Sequence, residues 1–312
     1  MSERDDLLSQ PHTCSPPLST ILISLKIFLR NKQLFLSLFA LTTLPLSFLL
    51  VSLSLFSLSF KSHVLHLEAV AFLSSTRFEA SHVWKESRVH ALSLLKIKAL
   101  FFLPSYFLSL LAAVTAVNST ASSCHATRPT LRTAFTVVKL TWKRPFVTTI
   151  FIYALSLLYA PVPRVLAPLT GSPASEFLVL VIGSAFEIYL MAVLSLGLVV
   201  SIVEERFGWD AIRVGSAVIA DRRFSGWALS GLFVFISGAI ARDLQRMMDS
   251  LDSSSESTTL TTMRVATVVK DNVGLIFLYG IVVLWSYIVT TVFYCECRKR
   301  HVGRGEDESV TV

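Results

Sequence analysis

The chain has 312 residues, of which 53% are hydrophobic and only 16% charged, and it carries a net charge of +7. Soluble domains hold about 25% charged residues, and here the charges that remain gather in clusters between long uncharged runs. That pattern excludes a water-soluble domain. Four cysteines in no framework or zinc spacing exclude a disulfide-stapled module.

The first 17 residues are polar, and "ERDDLL" resembles an acidic dileucine sorting signal, with Glu3 four residues before the Leu7–Leu8 pair. An exposed cytosolic tail is the context such a signal needs, which points to an endomembrane (vacuole, endoplasmic reticulum or plasma membrane). Residues 16–32, "PPLSTILISLKIFLRNK", place Leu18, Ile21, Leu22, Leu25, Phe28 and Leu29 on one helical face, with Lys26 and Arg30 on the other. This predicts a helix in the headgroup plane whose Lys26, Arg30 and Lys32 meet anionic lipid. Simple topogenic charge is the plainer alternative.

A helix needs about 20 apolar residues to cross a hydrocarbon layer of about 30 Å. Residues 33–60, 99–118, 145–163, 177–203, 224–241 and 272–295 each supply roughly that, and Glu187 is the one charge among them. The expected fold is all-α: a polytopic membrane protein of six transmembrane helices with amphipathic interfacial helices. It divides into a basic tail (1–32), the membrane domain (33–295) and a second tail (296–312). The first run, too long for a cleavable segment, is expected to act as an uncleaved signal anchor.

With both termini cytosolic, the cytosolic segments hold 17 Lys and Arg against 11 on the other side. A re-entrant first segment turning at Pro45 balances the charges less well. The sequon Asn118-Ser119-Thr120 then lies at the cytosolic end of span two and is expected to stay free of glycan. His63, His66, His82 and His90 fall in the first loop with Glu68, Glu79 and Glu86. Unliganded surface histidines are favoured there over metal or pH sensing, and no metal or cofactor is expected.

Residues 131–145 predict a second amphipathic helix, with Leu131, Ala134, Phe135, Val138 and Trp142 opposed to Arg132, Lys139 and Lys143. Pro161, Pro163 and Pro168 break the end of span three. In span four, Glu187 shares a face with Gly183, Ser184 and Ser195, so it is either a proton- or cation-coupling carboxylate or a buried, hydrogen-bonded one. Cys295 and Cys297 sit where the last span meets "RKR", and are either S-acylation sites or idle interfacial thiols.

Residues 201–231 hold eight charges, four of each sign, between two apolar runs. Gly208 offers a stop after span four. Phe207, Ala211, Val214 and Val218 then recur at helical spacing, widened by Ile212, Gly215 and Ile219, with Asp210 in the first turn. The expectation is a short interfacial helix whose Glu204 and Glu205 pair with nearby arginines. It has no histidine, no phosphate-binding turn and no nucleophile with a placed base, so catalysis is not expected.

"VEERFGWDAIRVGSAVIADRRFSGW" resembles the signature of a plant family of uncharacterised multi-pass membrane proteins. A looser form marks the membrane domain of bacterial glycerophosphodiester phosphodiesterases. Glu204, Gly208, Ala211, Ile212, Ser216 and Arg222 or Arg223 fall on matching positions; Gly215 and Asp221 depart from it. "ISLKIFLRNKQLFLSLFALTTLP" and "VLWSYIVTTVFYCECRKRH" are similar to that family's opening and close. The resemblance implies architecture and no activity. The expected function is a non-enzymatic membrane component that organises lipid or unidentified protein partners, not nucleic acid. A transporter or channel using Glu187 is the alternative, against which no internal repeat is visible between 34–163 and 177–294.

Overall fold

A computed structural model describes residues 17–53, 77–124, 130–220, 222–252, 270 and 273–310, and every regular element among them is a helix. Six stretches are long and apolar enough to cross a membrane: Lys32–Leu53, Leu92–Cys124, Lys143–Leu169, Pro173–Val203, Arg223–Arg246 and Val273–Lys299. The chain is all-α, with the helices of an integral multi-pass membrane protein. The expected sorting signal at Glu3, Leu7 and Leu8, together with His63, His66, Glu68 and Asp221, lies outside the described residues.

In chain order, α1 spans Pro17–Arg30 and α2 follows as Lys32–Leu53. The helix α3, Arg77–Cys124, is 48 residues long and runs through Pro104. Leu131–Thr141 forms α4, closed at its start by reciprocal Thr130–Thr133 hydrogen bonds. Lys143–Tyr159 is α5 and Val162–Leu166 is α6. A 3₁₀ turn, Ala167–Thr170, ends the third run at Gly171, whose φ is +67°. Then come α7, Pro173–Val203, α8, Gly208–Ala220, α9, Arg223–Asp252, and α10, Val273–Val310.

Several helices run past the apolar stretches read from the sequence. The helix that holds the second carries on past 118 to Cys124. The helix of the fifth outlasts 241 by eleven residues, and that of the sixth outlasts 295 by fifteen. Residues 242–252 and 296–302 contain no Gly or Pro, so nothing there stops a helix when hydropathy falls.

Pro45 does not reverse α2. Between Phe39 and Thr43 the helix widens into one π turn, and the Leu44 N–H donates to the Phe39 carbonyl five residues back. The wider turn accommodates a ring that would otherwise press on the carbonyl four residues earlier. The chain stays helical to Leu53, which removes the re-entrant alternative.

By internal contacts the chain forms two compact units. One comprises 33–116 and 235–284. Its interior holds Phe35, Leu38 and Phe39 of α2, Ala112, Ala113 and Val114 of α3, and Ile276 of α10. Phe39 meets Phe277 edge-on at 4.6 Å. A Cβ added at Gly280 would lie 2.9 Å from the Ser47 Oγ, so the glycine sets how closely α10 and α2 approach. The other unit comprises 1–32, 117–234 and 285–312, and it contains the whole charged stretch 204–223.

Candidate functional site

The charged stretch does not lie flat as a lone interfacial helix. Instead α8 folds back along α7, burying Ala211, Ile212, Gly215, Val218 and Ile219 against it. The hairpin closes on two glycines: a Cβ added at Gly215 would come within 2.7 Å of the Gly197 backbone nitrogen. A Cβ added at Gly197 would lie 3.0 Å from the Ile212 Cα. The apolar stripe of α8 therefore serves helix packing, not lipid contact. Gly208 makes the reversal at φ +61°, a left-handed conformation that side chains disfavour. Its N–H donates to the Thr148 Oγ1 of α5 at 2.9 Å, so the first turn of α8 has one of its free donors satisfied.

The charges cluster into two groups. In the first, the Glu204 carboxylate receives the Tyr294 hydroxyl at 2.5 Å and pairs with Arg298, both on α10. Its other oxygen lies 3.5 Å from the Arg206 Nε. Arg206 also meets Asp210 at 3.1 Å, while Glu205 meets Arg144 of α5 at 3.3 Å. In the second, Arg222 pairs with Glu296 of α10 at 3.5 Å, with side chains only 7% and 19% exposed. The Thr20 hydroxyl of α1 donates to the same Glu296 oxygen at 2.9 Å. Glu204 and Arg222 are thus internal ties that fasten α7, α8 and α1 to α10.

Helix α1 docks by its polar side. Thr20 and Ser24 are buried, the Trp285 Nε1–H donates to the Ser24 Oγ at 3.3 Å, and Asn31 just beyond donates to the Ser123 Oγ at 3.2 Å. The Cys124 thiol beside Ser123 is hydrogen-bonded to Cys295, one residue from Glu296. The ties of α1 thus reach Glu296 and Trp285 of α10 and Ser123 of α3. Leu18, Leu22, Leu25 and Leu29 face away from the protein, with Leu18 67% exposed. Lys26 and Arg30 are exposed on the flank.

Between α7, α8, α9 and α10 lies a cavity of ≈ 150 Å³, lined among others by Ser195, Ile219, Gly226, Ser230, Phe233 and Thr290. Two of its hydroxyls are turned back onto their own helices: Ser195 donates to the Ala192 carbonyl and Thr290 to that of Ser286. The space is left mainly hydrocarbon-lined. Among the described residues, no three His, Cys, Asp or Glu come together as a metal-binding group.

The profile of one family, described as a domain of unknown function (DUF8558), matches residues 18–307. The chain belongs to DUF8558. No curated protein and no solved structure matches it.

In this DUF8558 chain the signature residues of the charged stretch acquire physical roles. Glu204 is the acceptor at the α7–α10 joint, Gly208 the left-handed reversal, and Ala211 and Ile212 the packed face of α8. Ser216 only bonds the Arg213 carbonyl of its own helix. Arg222 is buried in the second ion pair, whereas Arg223 is exposed.

Other candidates fall elsewhere. Glu187 is exposed on the outside of α7, not buried and not on the cavity. Gly183, on the same helix, packs on Pro163 of α6, and its carbonyl receives the Tyr159 hydroxyl at 3.0 Å. Cys297 is buried, which withholds its thiol from an acyl donor in this packing, while Cys295 is a half-buried free thiol beside that of Cys124. Asn118 lies inside α3 with Ser119 and Thr120 fully buried. The sequence reading missed Tyr294, Glu296 and Arg298, placing the last two in a tail. It missed Thr20, Ser24 and Asn31 as well, although their i, i+4, i+11 spacing on an otherwise apolar segment was a visible sign of a polar docking edge.

Proposed function

We propose that the protein is a non-enzymatic multi-pass membrane component that organises lipid, and that it does so at the end where its charges cluster. The observation that carries this reading is the inverted docking of α1. An amphipathic helix in water turns its leucines inward. This one turns hydroxyls inward and leucines outward, with basic side chains on the flank, an arrangement suited to acyl chains beside it and headgroups above. The excess of Lys and Arg on the same segments supports a cytosolic location for this end and for both termini. The endomembrane assignment rests on the dileucine resemblance, and plant origin on the resemblance of the three quoted stretches. Glu187 facing outward, away from the cavity, favours this reading over a carboxylate-lined transport path.

The test is lipid enrichment around the reconstituted protein, read by energy transfer from its tryptophans to labelled phosphatidylserine or phosphatidylcholine in mixed vesicles. Transfer to the anionic probe is expected to exceed transfer to the zwitterionic one. Replacing Lys26, Arg30 and Lys32 together by Gln is expected to abolish the difference, each basic residue near an anionic surface being worth about 1 kcal/mol. Equal transfer to both probes in the unaltered protein contradicts the proposal.

A further inference from the structure

Two thiols meet at the charged end of this unit, and the ion pairs there do not use them. Cys124 is the last residue of α3, and Cys295 stands on α10, four residues before its apolar span ends at Lys299. Both are free and half-buried, and a thiol–thiol hydrogen bond joins them. The residues next to each thiol support the same approach of α3 and α10 independently. Ser123, beside Cys124, receives the Asn31 amide at 3.2 Å, and Glu296, beside Cys295, receives the Thr20 hydroxyl at 2.9 Å. Arg222 holds that same Glu296 oxygen at 3.5 Å. Cys297 follows Cys295 by two residues, which turns it about 200° around α10, and it is only 4% exposed. The packing therefore selects one pair among the described cysteines.

We infer that Cys124 and Cys295 form a modification site, a dithiol that a hydroperoxide oxidises to a disulfide tying α3 to α10. One thiol gives up its proton, and the thiolate attacks the hydroperoxide and breaks its O–O bond. The sulfur keeps the terminal oxygen as a sulfenic acid, and the departing alkoxide (hydroxide, from hydrogen peroxide) takes up the proton. The second thiol then attacks that sulfur. The S–O bond breaks, and the oxygen leaves as water with the second thiol's proton. Two thiols thus give two electrons to one hydroperoxide, which ends as one alcohol and one water. The inference goes beyond the lipid-organising reading. The bond joins the two helices to which Asn31 and Thr20 tie α1, so oxidation locks that seat. With this end in the cytosol, as proposed above, soluble thiols return the pair to its reduced form.

The experiment uses the full chain in phosphatidylcholine vesicles, reduced, freed of reductant, and exposed to hydrogen peroxide or to a fatty-acid hydroperoxide carried in the bilayer. Remaining thiols are blocked with N-ethylmaleimide, and linked peptides are identified by mass spectrometry with fragmentation. A link between Cys124 and Cys295 is expected, and the arm in which it forms faster tells whether water or lipid supplies the oxidant. Dithiothreitol is expected to remove the link, and Cys295→Ala to abolish linkage at Cys124. The oxidised protein is expected to unfold at a higher temperature than the reduced one, because the bond closes a loop of about 170 residues. Should Cys295→Ala fail to fold, the linked peptides of the unaltered protein decide alone.

No link between Cys124 and Cys295 in either arm overturns the inference. So does a link from Cys124 to Cys14 or Cys297 in its place. An oxidised protein that unfolds at a lower temperature than the reduced one also overturns it, since the bond would then have formed by distorting the packing. All three results leave the lipid reading standing, because lipid enrichment is measured on the reduced protein.

Discussion

Gly171 and Gly208 share a left-handed backbone, with φ of +67° and +61°, but differ in surroundings. A Cβ at Gly171 meets nothing within 4 Å, whereas one at Gly208 would lie 3.4 Å from the Phe151 ring. Alanine at Gly171 is therefore expected to cost only the conformational strain, about 1–2 kcal/mol, and at Gly208 the same or slightly more. Gly215→Ala acts through a different cause. Its methyl would be driven into the Gly197 backbone, which cannot swing aside as a side chain can, and an overpacking cost of about 1–3 kcal/mol is expected. Thermal unfolding midpoints in detergent check the order. A Gly215→Ala protein as stable as the parent would mean that α8 does not pack on α7 through this pair. The need for a turn at Gly208 was legible in the sequence from its place after an apolar run. The need for Gly215 was not, because close approach of two backbones depends on which helix lies opposite.

At the scale of helices, the periodicity of 208–220 was readable but its partner was not. An amphipathic stripe says that one face avoids water; it does not distinguish lipid from a neighbouring helix. The same ambiguity separates α1 from α8. Both have a leucine-, isoleucine- or valine-rich stripe, but α1 turns it out and α8 turns it in. The difference lies in the residues between the stripes. In α1 these are Thr20 and Ser24, which find Glu296 and Trp285, while in α8 they are Trp209, Asp210 and Arg213, which stay exposed.

The Glu204 joint ties the end of α7 to α10, and it invites a double replacement. Glu204→Ala leaves the Tyr294 hydroxyl, in a residue only 1% exposed, without its acceptor. A loss of about 1–3 kcal/mol is expected, the usual cost of a buried donor left unsatisfied, with the Arg298 Nη1–H still donating to the hydroxyl at 3.2 Å. Adding Tyr294→Phe is expected to recover part of that loss, since the unsatisfied donor is then removed along with its partner. Strictly additive losses in the double variant, again read from unfolding midpoints, would show that the two groups are not coupled.

For the whole molecule, hydropathy alone was enough to find six crossings, because water-free hydrocarbon leaves the chain few alternatives to long helices. It did not say where the helices end. The helices of the fifth and sixth runs continue well past the apolar stretch, since helix formation needs backbone geometry and not hydrophobicity. The charge junction was half legible. The acids and arginines of 204–223 were in view, but their partners lie 74 to 94 residues away, with Tyr294 read as part of the sixth span and Glu296 and Arg298 as a tail. The fate of Asn118 also changes its meaning. With Ser119 and Thr120 buried in α3, a bare Asn118 is expected from packing as well as from a cytosolic location, so its state does not by itself test orientation.

Orientation is tested most directly by moving the acceptor sequon, in full-length protein made with microsomes, into the segments that join the helices. The proposed six crossings with the charged end in the cytosol predict a glycan on a sequon introduced between 253 and 269. They predict none on one introduced between 125 and 129, or on one appended after Val312. A glycan at 125–129 or after Val312, with none at 253–269, would contradict the arrangement and place the α1 leucines and the Glu204 joint on the opposite face of the membrane.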